Sequence, residues 1–318
     1  MKYNIDPELR PILDFLPPFD LSSPATMRAT MDAIIGPMNA ELDTSGVTIK
    51  DHAAPGINGA PDVPVRVYQP EGASGKVPGL VYIHGGGFVF GNLDSEHATC
   101  FAISKHLGIV VVSVDYRLSP ETAFPGPLDD CYAALQWAHA ECDALGIDAR
   151  RLGIMGQSAG GCMATACALR ARDEGGPALC YQFLSIPVLD DRLDTPSMQA
   201  FVDTPIWHRT NAEQSWDHYL GAQYQRGSSD VPALAAPARA QNLAGLPPAC
   251  ITAMEFDPLR DEALVYAQRL LAAGVSTEIH AYPGTFHGSS MVADAALSKR
   301  GVADMFTALA RGLCVDPQ

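Results

Sequence analysis

Short, continuously apolar runs alternate along this chain with longer stretches of helical periodicity. The runs are Leu80–Ile83, Ile109–Val114, Leu152–Met155, Tyr181–Ile186, Ala249–Met254 and Thr277–Tyr282. Helical patterns cover 126–145, 159–172, 259–273 and 290–312. A strand buried on both faces reads as unbroken apolar sequence, so the alternation predicts a mainly parallel sheet with helices on both sides, an α/β fold. Ligand sites in such sheets lie beyond the carboxyl ends of the strands.

Two regions depart from the alternation. In the first forty residues, Leu9, Ile12, Leu13 and Leu16 fall at helical spacing and Pro17-Pro18 stops that element. Ser23 with Pro24 predicts the start of a second helix striped by Met27, Met31, Ile34 and Ile35. Val47–Lys50 and Val65–Tyr68 then alternate as edge strands do. The other departure runs from about 189 to 236, where Met198, Phe201, Trp207, Trp216 and Tyr219 are set among polar residues. It reads as a helical insertion lying over the sheet edge, its aromatics lining a pocket or else buried against the core.

At 318 residues, 47% hydrophobic and 18% charged, the chain suits one large globular domain with insertions. A formal net charge of −15 repels nucleic acid and anionic membrane surfaces, which excludes both as partners. No run approaches the ~20 apolar residues of a membrane span, and Met1–Asp6 lacks the apolar core of a signal peptide. The eight cysteines are scattered without C-x-x-C spacing, which argues against a zinc or thioredoxin-like motif and for buried free thiols in a reducing cytoplasm. No metal or cofactor is expected.

The chemistry gathers at the predicted strand ends. Gly156-Gln157-Ser158-Ala159-Gly160 follows the run 152–155 directly. Its glycines permit a sharp strand-to-helix turn that exposes the serine as a nucleophile. His84-Gly85-Gly86-Gly87-Phe88 follows the run 80–83 and suits a loop whose backbone N–H groups meet a developing oxyanion. A phosphate loop does not fit there, because Asn92 stands where lysine is required and no G-x-G-x-x-G can be written.

In a hydrolase of this order the acid and the base follow the serine. Of the histidines beyond the insertion, His280 lies mid-strand, whereas His287 sits in a glycine-flanked loop after the last strand, which makes His287 the base. Glu255, Asp257, Asp261 and Glu262 are the candidate acids. Asp257 fits best and Asp261 is the reserve, although Asp257-Pro258 also reads as a helix cap.

His84-Gly-Gly-Gly-Phe88, Asp115-Tyr116-Arg117-Leu118-Ser119-Pro120-Glu121, Gly156-Gln-Ser-Ala-Gly160 and Asp257-Pro-Leu-Arg-Asp261 together resemble the hormone-sensitive-lipase family of bacterial α/β-hydrolase esterases, over about 65–312. The resemblance implies Ser158, Asp257 and His287 as a triad, with Gly86, Gly87 and Ala159 supplying oxyanion N–H donors. It implies a cap built from about 1–45 and 189–236 over a catalytic core of 46–188 and 237–318. The expected activity is hydrolysis of short-chain acyl esters without a cofactor. An amidase, lactonase or deacetylase on the same triad, or a non-catalytic ligand-binding relative, are the rivals. Phe88, Trp207, Trp216 and Tyr219 are the candidate pocket residues, and Arg117 with Glu121 reads as a buried structural pair. The three-glycine loop resembles that of relatives accepting bulky tertiary-alcohol esters. Dimers are common in that family, so a homodimer stays open. Gln157 departs from the family's usual aspartate or threonine before the serine.

Overall fold

The structure, a computed structural model, describes residues 2–16 and 19–315. Eight strands form one sheet: β1 (Val47–Ala54), β2 (Val63–Pro70), β3 (Val77–Ile83), β4 (Val110–Val114), β5 (Ile147–Gln157), β6 (Tyr181–Ser185), β7 (Ala249–Phe256) and β8 (Thr277–Phe286). Their spatial order is β1-β2-β4-β3-β5-β6-β7-β8. The pairs β1/β2 and β2/β4 are antiparallel and all others parallel. The six apolar runs thus form the parallel part, as their unbroken hydrophobicity requires. Of the two alternating segments only β1 is an edge; β2 is enclosed between β1 and β4.

The helices are α1 (Pro24–Ala40), α2 (His97–Leu107), α3 (Gly126–Ala140), α4 (Cys142–Leu145), α5 (Ala159–Glu174), α6 (Pro196–Ala200), α7 (Arg209–Leu220), α8 (Arg260–Ala272) and α9 (Ala296–Gly312). One face of the sheet packs α3, α5 and α8 through Leu135, Met163 and Leu270. The other face packs α2 and α9 through Phe101, Leu107 and Leu309.

The amino-terminal region differs from its periodicity. Residues 10–14 form a five-residue 3₁₀ turn rather than an α-helix. The predicted stop at Pro17-Pro18 lies outside the described residues. Within α1 only Met27 of the predicted stripe is buried, and Ile34 faces solvent at 43% exposure. The 189–236 insertion contains α6 and α7 followed by irregular chain. It ties to the amino-terminal segment through Asn211 Nδ2 to the Phe19 carbonyl at 2.8 Å and His218 Nε2 to the Leu21 carbonyl at 2.9 Å.

Candidate active site

Ser158 is the single residue between β5 and α5, and its backbone is forced to φ 53°, ψ −117°. That conformation costs a non-glycine residue about 1–3 kcal/mol and is held only where the surroundings dictate it. Here they do. The Ser158 N–H donates to the Ser185 carbonyl at 2.8 Å, and its carbonyl accepts from Val188 N at 3.0 Å. A Cβ on Gly160 would stand 2.1 Å from the Ile83 carbonyl oxygen, so only glycine lets the helix start this close to the end of β3.

His287 and Asp257 also follow strands directly, β8 and β7 respectively. The His287 Nε2 lies 3.1 Å from Ser158 Oγ, and its Nδ1 lies 2.7 Å from Asp257 Oδ2. With the proton on Nδ1, the imidazole donates to Asp257 and accepts from the serine hydroxyl. All three side chains are buried, at 5%, 6% and 1% exposure for Ser158, His287 and Asp257, which strengthens these bonds by excluding water. Asp257 also bonds locally: Oδ1 accepts from Leu259 N at 2.9 Å ahead of α8. The helix cap read from Asp257-Pro258 does not form as expected, because α8 begins at Arg260 with Leu259 at its N-cap and no side-chain cap bond.

The other acids are occupied elsewhere. Asp261 Oδ2 accepts from Ser197 N at 2.7 Å, and Glu255 Oε2 accepts from Gly284 N at 2.6 Å. Glu262 Oε1 accepts from Leu189 N at 2.7 Å in a buried setting. His280 sits in β8 against Glu278, 2.6 Å away, and makes no contact with the serine.

The glycine loop lies against Ser158, since a Cβ on Gly85 would stand 3.4 Å from Ser158 Cβ. Among the described residues no protein acceptor takes the N–H of Gly86, Gly87 or Ala159, and Ala159 opens α5, where the helix dipole favours negative charge. His84 closes the loop from beneath: its ring stacks on Tyr116 at 4.2 Å and its Nδ1 lies 2.7 Å from the Gly85 carbonyl. Burial pushes its pKa down to about 4, so it stays neutral.

The four expected pocket aromatics separate. Trp207 lies against His287, its ring centroid 5.6 Å from that of the imidazole. Phe88, Trp216 and Tyr219 instead pack against one another, Phe88 and Tyr219 stacked with centroids 4.2 Å apart and Trp216 tilted against both, and all three are fully buried. Trp207 is itself only 2% exposed, so its place beside His287, and not its exposure, sets it apart, while the other three anchor the insertion onto the glycine loop. Gln157 lines a separate cavity of about 200 Å³ with Ser185, Thr252, Thr285 and Ser289.

The expected Arg117–Glu121 pair does not form. Arg117 bonds Asp130 on α3 through N, Nε and Nη2 at 2.7–2.9 Å, and Glu121 reaches Arg28 on α1. Arg28 was silent in the sequence, because a lone arginine on an amphipathic helix carries no signature of its carbonyl partners.

A family model described as the α/β-hydrolase fold matches residues 80–291. The chain belongs to the hormone-sensitive-lipase-like α/β-hydrolases. Carboxylesterase NlhH of Mycobacterium tuberculosis is 40% identical over 233 residues, 73% of each chain. A solved bacterial heroin esterase is 52% identical with a TM-score of 0.96, covering 98% of both chains. Esterase LipW from Mycobacterium marinum is 39% identical with a TM-score of 0.89, covering 97% of this chain and 96% of its own. The activity of this α/β-hydrolase is that of a carboxylesterase. Among the described residues no helix is long and apolar enough to cross a membrane.

Proposed function

We propose that this carboxylesterase hydrolyses short-chain acyl esters through an acyl-enzyme on Ser158. The observation that carries the reading is the unbroken chain Asp257 Oδ2–His287 Nδ1 and His287 Nε2–Ser158 Oγ, at 2.7 and 3.1 Å. As Ser158 Oγ attacks the ester carbonyl, its proton passes to His287 Nε2. Asp257 holds the tautomer and stabilises the imidazolium that forms. The carbonyl oxygen, now negative, is met by the N–H groups of Gly86, Gly87 and Ala159. Collapse expels the alcohol, which takes the proton from Nε2. Water then repeats the sequence against the acyl-enzyme, and carboxylic acid leaves.

The amino-terminal elements and the 189–236 insertion act together as the cap, which their mutual hydrogen bonds support. Trp207 comes from that insertion and borders both His287 and the glycine loop, where a Cβ on Gly87 would stand 2.7 Å from its ring. A rigid indole at that position supports a small acyl group. All eight cysteines are unpaired, six of them buried, which supports a reducing, cytoplasmic setting.

The test is a panel of p-nitrophenyl esters of graded chain length, with a lactone and an anilide, on the parent and Ser158→Ala. Acetate and butyrate esters are expected to give the highest kcat/KM, and Ser158→Ala to lose about 10⁶ in kcat. Undiminished turnover in Ser158→Ala overturns the nucleophile, and equal turnover of long acyl chains overturns the substrate class.

A further inference from the structure

The parallel register of β7 and β8 sets Cys250 beside Glu278. His280 stands two residues further along β8 and so shares a face with Glu278. A thiol, a carboxylate and an imidazole are thereby assembled with donor atoms all within 4.8 Å of one another. Tetrahedral zinc holds such donors at about 2.0–2.3 Å, which spaces them roughly 3.3–3.8 Å apart. The linear spacing of the cysteines could not reveal this cluster, because its members meet only across strands.

The surroundings fit a metal-binding histidine. His280 Nε2 faces Glu278, while Nδ1 faces Asp304 Oδ2 on α9 at 3.6 Å. The Nε2 hydrogen bond to Glu278 is the one a cation would replace, and Asp304, beyond hydrogen-bond reach of Nδ1 in this arrangement, stands where a carboxylate supporting a ligating imidazole is placed. Asp304 is itself held by the Tyr282 hydroxyl at 3.0 Å. Two cations face the cluster from α9: Arg311 contacts Glu278, and Arg300 lies 3.6 Å from Asp304. Both side chains are about 60% exposed and free to turn into solvent. Burial raises the Cys250 thiol's pKa to about 12, so a metal must displace its proton.

We infer that Cys250, Glu278 and His280 form a site for a thiophilic divalent cation of the zinc class, clamping β7 to β8. One thiolate and one imidazole favour zinc, cadmium or cobalt over magnesium or calcium. The site stands apart from the catalytic centre but acts on its supports. Cys250 precedes Asp257 by seven positions on one strand (250 to 257), and His280 precedes His287 by seven on the next (280 to 287). A cation here fixes the mutual register of the two strands that deliver the acid and the base.

The experiment uses metal-stripped full-length protein carrying Cys314→Ser, because Cys314 is exposed and would bind thiophilic ions itself. Cadmium and cobalt are titrated in separate runs. One equivalent of cadmium is expected to give sulfur-to-metal charge-transfer absorption. One equivalent of cobalt is expected to give a tetrahedral visible spectrum. Saturation with either ion should raise the melting temperature by about 3–8 °C, the shift that binding to the folded state alone produces at moderate excess. Cys250→Ser should abolish the charge-transfer band. His280→Ala, at a partly exposed position with the thiol intact, should weaken binding at least about 10-fold, so the test survives poor folding of the serine variant. No thiolate band at one equivalent, a band that persists in Cys250→Ser, unchanged affinity in His280→Ala, or equal stabilisation by magnesium overturns the inference.

Discussion

Arg28 and Glu121 form a two-pronged ion pair, with Nη1 to Oε1 at 2.9 Å and Nη2 to Oε2 at 2.7 Å. The same guanidinium donates to the Val89 carbonyl at 2.7 Å and the Ser119 carbonyl at 2.9 Å. Val89 and Phe90 in turn donate to the Gly86 carbonyl. A helix of the proposed cap is thus bolted to the glycine loop, the proposed source of oxyanion donors. The Glu121 side chain is 62% exposed, so the ion pair itself contributes about 0–1 kcal/mol. Hydrogen bonds from a charged group to carbonyls contribute about 1.5–3 kcal/mol. Arg28→Ala is therefore expected to lose about 1–3 kcal/mol in urea denaturation and roughly 10-fold in kcat/KM. Glu121→Gln should lose under about 1 kcal/mol. Equal losses in the two variants would place the effect in the ion pair and not in the carbonyl bonds.

Gly87 and Trp207 make a second coupled pair. Gly87 has φ +55°, which costs a residue with a Cβ roughly 1–2 kcal/mol. That Cβ would also stand 2.7 Å from the indole of Trp207. Gly87→Ala is expected to lower kcat/KM by about 10²-fold, the loss typical of a displaced oxyanion donor. Adding Trp207→Phe should restore about 10-fold of this by opening space, as steady-state kinetics on the double variant would read. No recovery would assign the whole effect to the backbone angle.

The two aspartates of Asp257-Pro-Leu-Arg-Asp261 have separable tasks. Asp257 bonds His287 Nδ1 at 2.7 Å, and in the proposed role of holding its tautomer Asp257→Asn should lower kcat by about 10⁴-fold, as the corresponding change does in a serine protease. Asp261 accepts from Ser197 N at the start of α6, far from the imidazole in function. Asp261→Asn should keep kcat within about 3-fold while losing about 1 kcal/mol of stability. The kcat ratio of the two variants decides the assignment, and its reversal would exchange their roles.

Strands were legible because burial on both faces leaves an unbroken apolar record, and the positions of Ser158, Asp257 and His287 followed from where those strands stop. Ion pairing was not. Arg117 and Glu121 lie close in sequence and suggested a pair, yet Arg117 finds Asp130 on the helix that folds over it. Nothing in linear order marks a partner chosen by docking. The aromatics of the insertion announced burial but not which surface buries them, so Trp207 looked equivalent to Trp216. Their separation depends on the loop before α7, where Ile206 takes φ +64° and the Trp207 N–H bonds the Pro205 carbonyl. Periodicity does not encode such a turn.

Glu262 gives the molecule a pH-dependent stability opposite to that of most carboxylates. Its side chain is buried, Oε1 accepts from Leu189 N, and Oε2 has no hydrogen-bond partner. Burial pushes its pKa well above the ordinary carboxyl value, and the charges of Asp190 and Asp257 push the same way. Above the unfolded value of about 4.3 the unfolded chain releases this proton while the folded chain retains it. The folded state then binds more protons, so stability falls as pH rises through this window toward the folded pKa. Below the unfolded value the contribution is fully present. Glu262→Gln keeps the acceptor for Leu189 and removes the titration. At pH 5 the variant should match the parent within about 1 kcal/mol, and at pH 8.5 it should be more stable by about 1–3 kcal/mol, the range set by an unsatisfied buried polar group. Urea denaturation at the two pH values measures the difference. A gap between variant and parent that does not change with pH would mean that Glu262 titrates alike in the folded and unfolded chains.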